Sequence, residues 1–249
     1  MKVDPKKYYA VITGDFIGFS DLPAEVRERM YFVLKDCGKS LENAFPGILP
    51  CGVDVFRGDG WQALIDDPAL SFRAALFIRA HIRFHLPEAA TANDFGEKTG
   101  TKPEIKAKIQ MNTRLAIGVG PIDYVPDNRV SAGDGPAFRR SGKLLEKMAS
   151  PKAGTMRFAA EGTGDIRMGR LLDGIVRLAG ELADRWTSKQ ALAVTGALQG
   201  WTHPQIARLW PGGVGPRTVG AHLQKAGWNA IVHGLRVFEA GMGGVQETV

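Results

Sequence analysis

The chain has 249 residues, 44% hydrophobic and 23% charged, with 32 basic and 26 acidic side chains for a net charge of +6 and a pI near 9.4. This is ordinary globular composition; it excludes a disordered or fibrous chain and suffices for one large domain or two smaller ones. Cys37 and Cys51 are the only cysteines, too few for a disulfide framework or a Cys-rich zinc site. No segment has the apolar length of a signal-peptide core or a membrane span, so a cytoplasmic protein with no membrane partner is expected.

Tyr8-Tyr9-Ala10-Val11-Ile12-Thr13 reads as a buried strand running into Gly14-Asp15-Phe16-Ile17-Gly18-Phe19-Ser20. Ser20-Asp21-Leu22-Pro23 is a helix start, and Val26, Met30, Val33, Leu34, Cys37 and Leu41 follow at helical spacing over 24–43. Between Gly52 and Asp66, two runs in near-alternation flank Gly58-Asp59-Gly60. Asp-Gly between such runs predicts a hairpin with an acidic tip. Pro68 opens a second helix, apolar from Leu70 to Phe84, that ends before Pro87. Residues 88–108 show no period and read as a long surface loop.

Thr113 to Gly120 is a β-rich apolar run, extended by Ile122 to Val125 and closed by Pro126-Asp127-Asn128. A third helix starts from Ser131 to Pro136, with Phe138, Leu144, Leu145 and Met148 as its stripe, and 155–160 reads as an edge strand. The succession β-α-β-β-α-β, then helix and strand, predicts an α+β fold: a ferredoxin-like antiparallel sheet with helices over one face.

If the first strand and the hairpin share a sheet with aligned ends, Asp15 and Asp59 meet at one edge, where two hard carboxylates suit a divalent cation such as Mg²⁺ or Mn²⁺. Each has a plainer alternative: Asp59 as a turn residue, Asp15 as a cap. Arg57, at the same tip, is a candidate for phosphate or a surface partner of Asp54 or Asp59. His81 and His85 lie four apart on a helix, with no acid between them and no third ligand in view, so they are placed on a helix surface and no zinc is assigned.

Composition shifts near residue 163. An amphipathic helix over 165–185 is followed by a stretch from Trp186 to Phe238 with no Asp or Glu and four of the five tryptophans. There Ser188 to Leu198, Gln205 to Trp210 and Pro216 to Ala226 read as helices. The expected organisation is a domain over 1–162, a linker helix over 163–185, an all-α helix-turn-helix domain over 186–239 and a disordered tail over 240–249.

The motifs Asp15-Phe16-Ile17-Gly18-Phe19-Ser20 and Gly58-Asp59, 44 positions apart, resemble those of class III nucleotide cyclases. The resemblance implies a metal-binding aspartate pair and a phosphate cradle at Phe16, Ile17, Gly18 and Phe19. Val55 stands where the family's base-reading Lys belongs, and Ala137 and Ser141 where its transition-state Asn and Arg belong; Arg139 and Arg140 are nearby candidates for phosphate. Over nearly the whole chain, Tyr8 to Asp15, Phe56 to Gln62, Ala116 to Tyr124 and Lys225 to Ile231 are similar to the SatD family of bacterial proteins. The C-terminal helices resemble the helix-turn-helix of LuxR-type and sigma region 4 regulators, which implies DNA contacts from Arg217, Thr218, His222 and Lys225.

These resemblances imply a DNA-binding regulatory protein whose degenerate cyclase-like domain binds a nucleotide, a divalent metal or both, with duplex DNA as partner and a homodimer as assembly. The alternative is a metal-dependent nucleotidyl cyclase or related phosphoryl-transfer enzyme; the missing Lys, Asn and Arg argue against ordinary cyclase turnover.

Overall fold

The structure is a computed structural model that describes residues 2–56, 58–86, 112–160 and 166–243. Arg57, the expected loop over 88–108 and residues 244–249 fall outside the described residues.

The chain folds as an α+β protein around a five-stranded sheet of order β2-β3-β1-β4-β5. At its centre, β1 (Tyr9–Phe16) pairs antiparallel with β3 (Gly60–Ile65) and with β4 (Thr113–Gly120). The hairpin strand β2 (Asp54–Phe56) forms one edge. At the other, β5 (Met156–Ala160) runs parallel to β4.

Both faces of the central strands are covered, and this sets their composition. Ala10, Ile12 and Phe16 join the core under α1 (Ala24–Ala44) and α2 (Ser71–His85), whereas Tyr9 and Val11 pack with Ala137 and Phe138 of α3 (Pro136–Glu146). A strand buried on both sides needs apolar residues at both parities, so Tyr9 to Ile12 reads as a continuous run. This corrects the expectation of helices over one face only. Gly118 of β4 makes the close approach of α3 feasible: a Cβ there would overlap the Ala137 carbonyl and the Ser141 amide. Residues 122–125 do not prolong β4, for Tyr124 instead makes an isolated bridge to Asp134.

α2 is buried nearly all round, as expected of a helix with few polar positions. The sheet and α1 cover part of it, and the C-terminal helices the rest. After α4 (Ile166–Asp184), which packs on β5, Thr187 and Gln190 form a capping box that starts α5 (Ser188–Leu198) against α2. A second box, Thr202 with Gln205, starts the short α6 (His203–Ala207). There follow α7 (Pro216–Lys225) and α8 (Trp228–Gly243). Ala240 to Gly243 thus complete α8 rather than open a tail.

The helices after Trp186 share one apolar cluster with α1, α2 and the sheet. Phe238 of α8 meets Phe72 of α2 and Phe158 of β5 at 5.2 and 5.0 Å between ring centroids. Arg73 of α2 donates to the Leu198 carbonyl and to Glu239, both at 2.8 Å. No helix is long and apolar enough to cross a membrane among the described residues.

Candidate functional site

The antiparallel register aligns the ends of the central strands. Asp15 lies opposite Gly60 in β3 and opposite Arg114 in β4, and the Phe16 amide donates to the Asp59 carbonyl at 3.3 Å. Asp15 and Asp59 therefore meet at one sheet edge, on the face that α3 covers. The neighbouring Gly14 faces the other way, under the Trp61 indole, which a Cβ at that position would overlap. The indole Nε1 donates to Thr113 Oγ1 at 3.2 Å, and Thr113 Oγ1 donates to the Asp15 carbonyl at 2.7 Å. The backbone that presents Asp15 is thus held from below.

Asp15 is not an open carboxylate. Arg114 Nε donates to its Oδ1 at 2.9 Å and an Arg114 terminal nitrogen to its Oδ2 at 2.5 Å. This two-point fit is the strong form of a cross-strand ion pair. The remaining arm of Arg114 donates to the Met148 carbonyl at 3.0 Å. Both oxygens that would chelate a metal are engaged by a cation of the chain itself, so the pair does not fit a site in which two free carboxylates hold the ion. No described residue donates to the half-buried Asp59 carboxylate, which remains the open acid of this edge.

Two clefts meet here, sharing Asp59, Arg114 and Ala149. One, of about 650 Å³, lies on the α3 face and includes Asp15, Gln62 and Arg129. The other, of about 630 Å³, lies past the end of β1 and includes Phe16 to Ser20, Arg27 and Ser150. The candidate phosphate cradle thus borders a cleft, with Gly18 in the left-handed region at φ 70° turning the chain. Two of its amides are already used: Phe16 donates to Asp59 and Ile17 to the Asn112 carbonyl at 3.0 Å. Arg27, from α1, stands over the Phe19 ring at 5.9 Å.

Other sequence candidates are placed elsewhere. Arg139 pairs with Asp134 at 2.8 Å and Asp123 at 3.4 Å, and neither it nor the half-buried Arg140 lines these clefts. Ser141 and Ala137 face the sheet: Ser141 Oγ and Thr13 Oγ1 are 2.7 Å apart, and Gln62 Nε2 donates to Thr13 at 3.0 Å. Both Ala137 and Ser141 are fully buried there. On α7, Arg217, Thr218 and Lys225 are exposed, whereas half-buried His222 stacks on Trp210 at 5.7 Å. Desolvation, then Lys189 and Lys225, hold the His222 imidazole below its ordinary pKa.

Arg114 and Arg27 were not singled out from sequence. The signal for Arg114 was a cation inside an apolar strand run, opposite Asp15 only once the register is known. A second missed group is Asp36, His81 and His85, whose ligand atoms lie within 4.8 Å of one another. His81 is buried, at 5% exposure, which corrects its expected place on a helix surface. Its third partner comes from α1, far away in sequence, and the three form an Asp/His cluster able to hold a metal. Burial, then His85, holds His81 neutral, with a pKa lowered to about 4.

No protein-family model and no curated protein matches the sequence. Among solved structures, the adenylyl cyclase CyaB from P. aeruginosa is similar to this chain at 20% identity, over 57% of this chain and 72% of that one, with a TM-score of 0.35.

Proposed function

We propose that this protein is a regulatory binding protein that takes a nucleotide by its phosphates at the junction of the two clefts and does not turn it over. The observation that carries this reading is Arg114: fixed by Asp15 and the Met148 carbonyl, it stands beside Asp59 where the two clefts join. Arg27 adds a second cation over Phe19, and the turn at Gly18 supplies a backbone that phosphate can approach. Asp59 is the carboxylate through which Mg²⁺ or Mn²⁺ would bridge to phosphate oxygens. The strand order β2-β3-β1-β4 is that of a ferredoxin-like sheet, and the Asp15 and Asp59 motifs resemble the cyclase pattern without its Lys, Asn and Arg.

A thermal-shift titration of the four nucleoside triphosphates, with and without Mn²⁺, tests this reading. At least one nucleotide raises the melting temperature of the wild type; Arg114→Ala and, independently, the surface variant Arg27→Ala reduce the shift. Asp59→Asn removes only its Mn²⁺-dependent part. Silence towards all four nucleotides, or shifts indifferent to both arginines, would sink the reading. Cyclic nucleotide or pyrophosphate released in an Asp59-dependent manner would establish the enzyme reading instead.

A second reading concerns the partner. α7 turns Arg217, Thr218 and Lys225 to solvent within a stretch that has no acid from Trp186 to Phe238, which is the electrostatic character of a duplex-DNA surface. A homodimer would present two such helices to two half-sites. Fluorescence anisotropy with mixed-sequence duplex DNA should show binding that weakens steeply with salt, by counterion release. The double variant Arg217→Ala/Lys225→Ala should lose most of it. Equal binding by variant and wild type refutes the assignment.

A further inference from the structure

We infer that Asp36, His81 and His85 form a binding site for a borderline transition-metal cation, with Zn²⁺ the best match, where α1 crosses the C-terminal end of α2. This site stands apart from the nucleotide clefts and shares no residue with them.

The two histidines are one helical turn apart on α2, so their rings meet on one face, tilted at 33° with centroids 4.2 Å apart. The spacing i, i+4 is the one by which a helix offers two imidazoles to one ion. Asp36 reaches in from α1, its Oδ2 3.3 Å from His81 Nε2. Around a tetrahedral ion with bonds of roughly 2.0–2.1 Å, neighbouring ligand atoms sit about 3.3 Å apart. One edge of the tetrahedron therefore already has its length. The ligand atoms of the group all lie within 4.8 Å of one another, a spread that side-chain rotation of the exposed Asp36 and the half-buried His85 can close.

The independent sign of a ligand is His81 Nε2 itself. It is buried, and among the described residues no well-directed hydrogen bond reaches it: the Asp36 carboxylate 3.3 Å away lies at an angle that does not complete one. Buried polar atoms in folded proteins find a partner almost without exception. In the tautomer with Nε2 unprotonated, two lone pairs confront each other across the gap to Asp36, and a cation between them satisfies both.

The surroundings fit the same occupant. A cavity of about 400 Å³ opens beside His85 and Asp36, with Glu25, Glu28 and Arg29 at its walls. Counting Asp36, acids outnumber the one arginine there, and Arg29 itself donates to the His85 carbonyl at 3.2 Å. Three protein ligands with open space beyond are the form of a site whose fourth position takes water or a small anion. Two imidazoles and one carboxylate select Zn²⁺, Co²⁺ or Ni²⁺ over Mg²⁺ and Ca²⁺, which prefer all-oxygen sites.

Co²⁺ reports directly on such a site. Titrating the full, untagged chain with Co²⁺ should give one equivalent bound, with visible d–d absorption of four-coordinate intensity, displaced by equimolar Zn²⁺ and unaffected by excess Mg²⁺. Asp36→Ala and His85→Ala, both outside the deepest core, should each abolish the bands while circular dichroism shows the fold intact. Asp59→Ala should keep them, which separates this site from the nucleotide cleft. Absence of bands, survival of the bands in both ligand variants, or an intense near-ultraviolet thiolate transition from Cys37 or Cys51 would each overturn the assignment.

Discussion

Arg79 is the residue on which the junction of α2, α4 and the strand ends depends. It is buried at 3% exposure, and it pairs with Asp184 at the end of α4. It also donates to Asn112 Oδ1 and Thr155 Oγ1, each at 2.7 Å. Asp184 in turn accepts from Asn112 at 2.6 Å and Thr155 at 2.8 Å. Burial alone would raise the Asp184 carboxyl, but the Arg79 charge and these hydrogen bonds outweigh it and hold the pKa below the usual value of 3.8. A carboxyl with a depressed folded pKa contributes stability that is present above its unfolded pKa and is lost as pH falls through the folded one. Asp184→Asn strands the buried Arg79 charge, and such a break costs about 3–5 kcal/mol. Urea unfolding should show that deficit at pH 7 and a gap between variant and wild type that narrows as pH falls below 3.8 towards the depressed folded pKa. A gap that stays constant across this range would deny the pair its role.

At the scale of elements, local signals sufficed wherever a segment's pattern depends on its own neighbours. The first strand, the hairpin around Gly58-Asp59-Gly60, and the helices at 24–44, 71–85 and 188–198 lie close to where periodicity and capping residues put them. Even the edge shared by Asp15 and Asp59 was legible, because two strands ending in acidic turns align if they pair. What could not be read was whatever depends on which element crosses which. Arg114 faces Asp15 only through the β1–β4 register. Asp36 meets His81 only through the crossing of α1 on α2. α3 covers the opposite sheet face because apolar residues occupy both parities of β1, a pattern that is visible in the sequence but does not say which element supplies the cover. α7 was readable as a helix, but its stacking of His222 on Trp210 was not: that contact turns an expected DNA-facing side chain partly inward.

Taken whole, the molecule packs continuously across the point where composition shifts. The acid-free stretch begins at Trp186, yet that indole is buried and donates to the Ala226 carbonyl at 2.9 Å, and α5 lies along α2. The face of α2 that carries Phe72 and Arg73 is covered by α5 and α8. Removing residues 186–249 would uncover the Phe72 ring and the Phe158 ring of β5, and would leave Arg73 without Glu239 and the Leu198 carbonyl. Burying a large apolar side chain is worth about 1.5–3 kcal/mol, so losing the cover of several exceeds much of the ~5–15 kcal/mol by which a typical protein is stable. A chain ending at Arg185 should therefore aggregate or melt at a much lower temperature, and calorimetry of the full chain should show one cooperative transition. Two separable transitions, with the first 185 residues folding unaided, would mean that the C-terminal helices are an appended unit. In the coupled case, occupancy at the sheet edge reaches α7 through one continuous core: the edge is braced by Arg114 and Trp61, and α7 is seated on that core by Val219 and Leu223. A nucleotide that raises the melting temperature of the full chain should then also protect the amides of α5 and α7 from hydrogen exchange. Protection confined to the strand ends would place the two surfaces on independent footings.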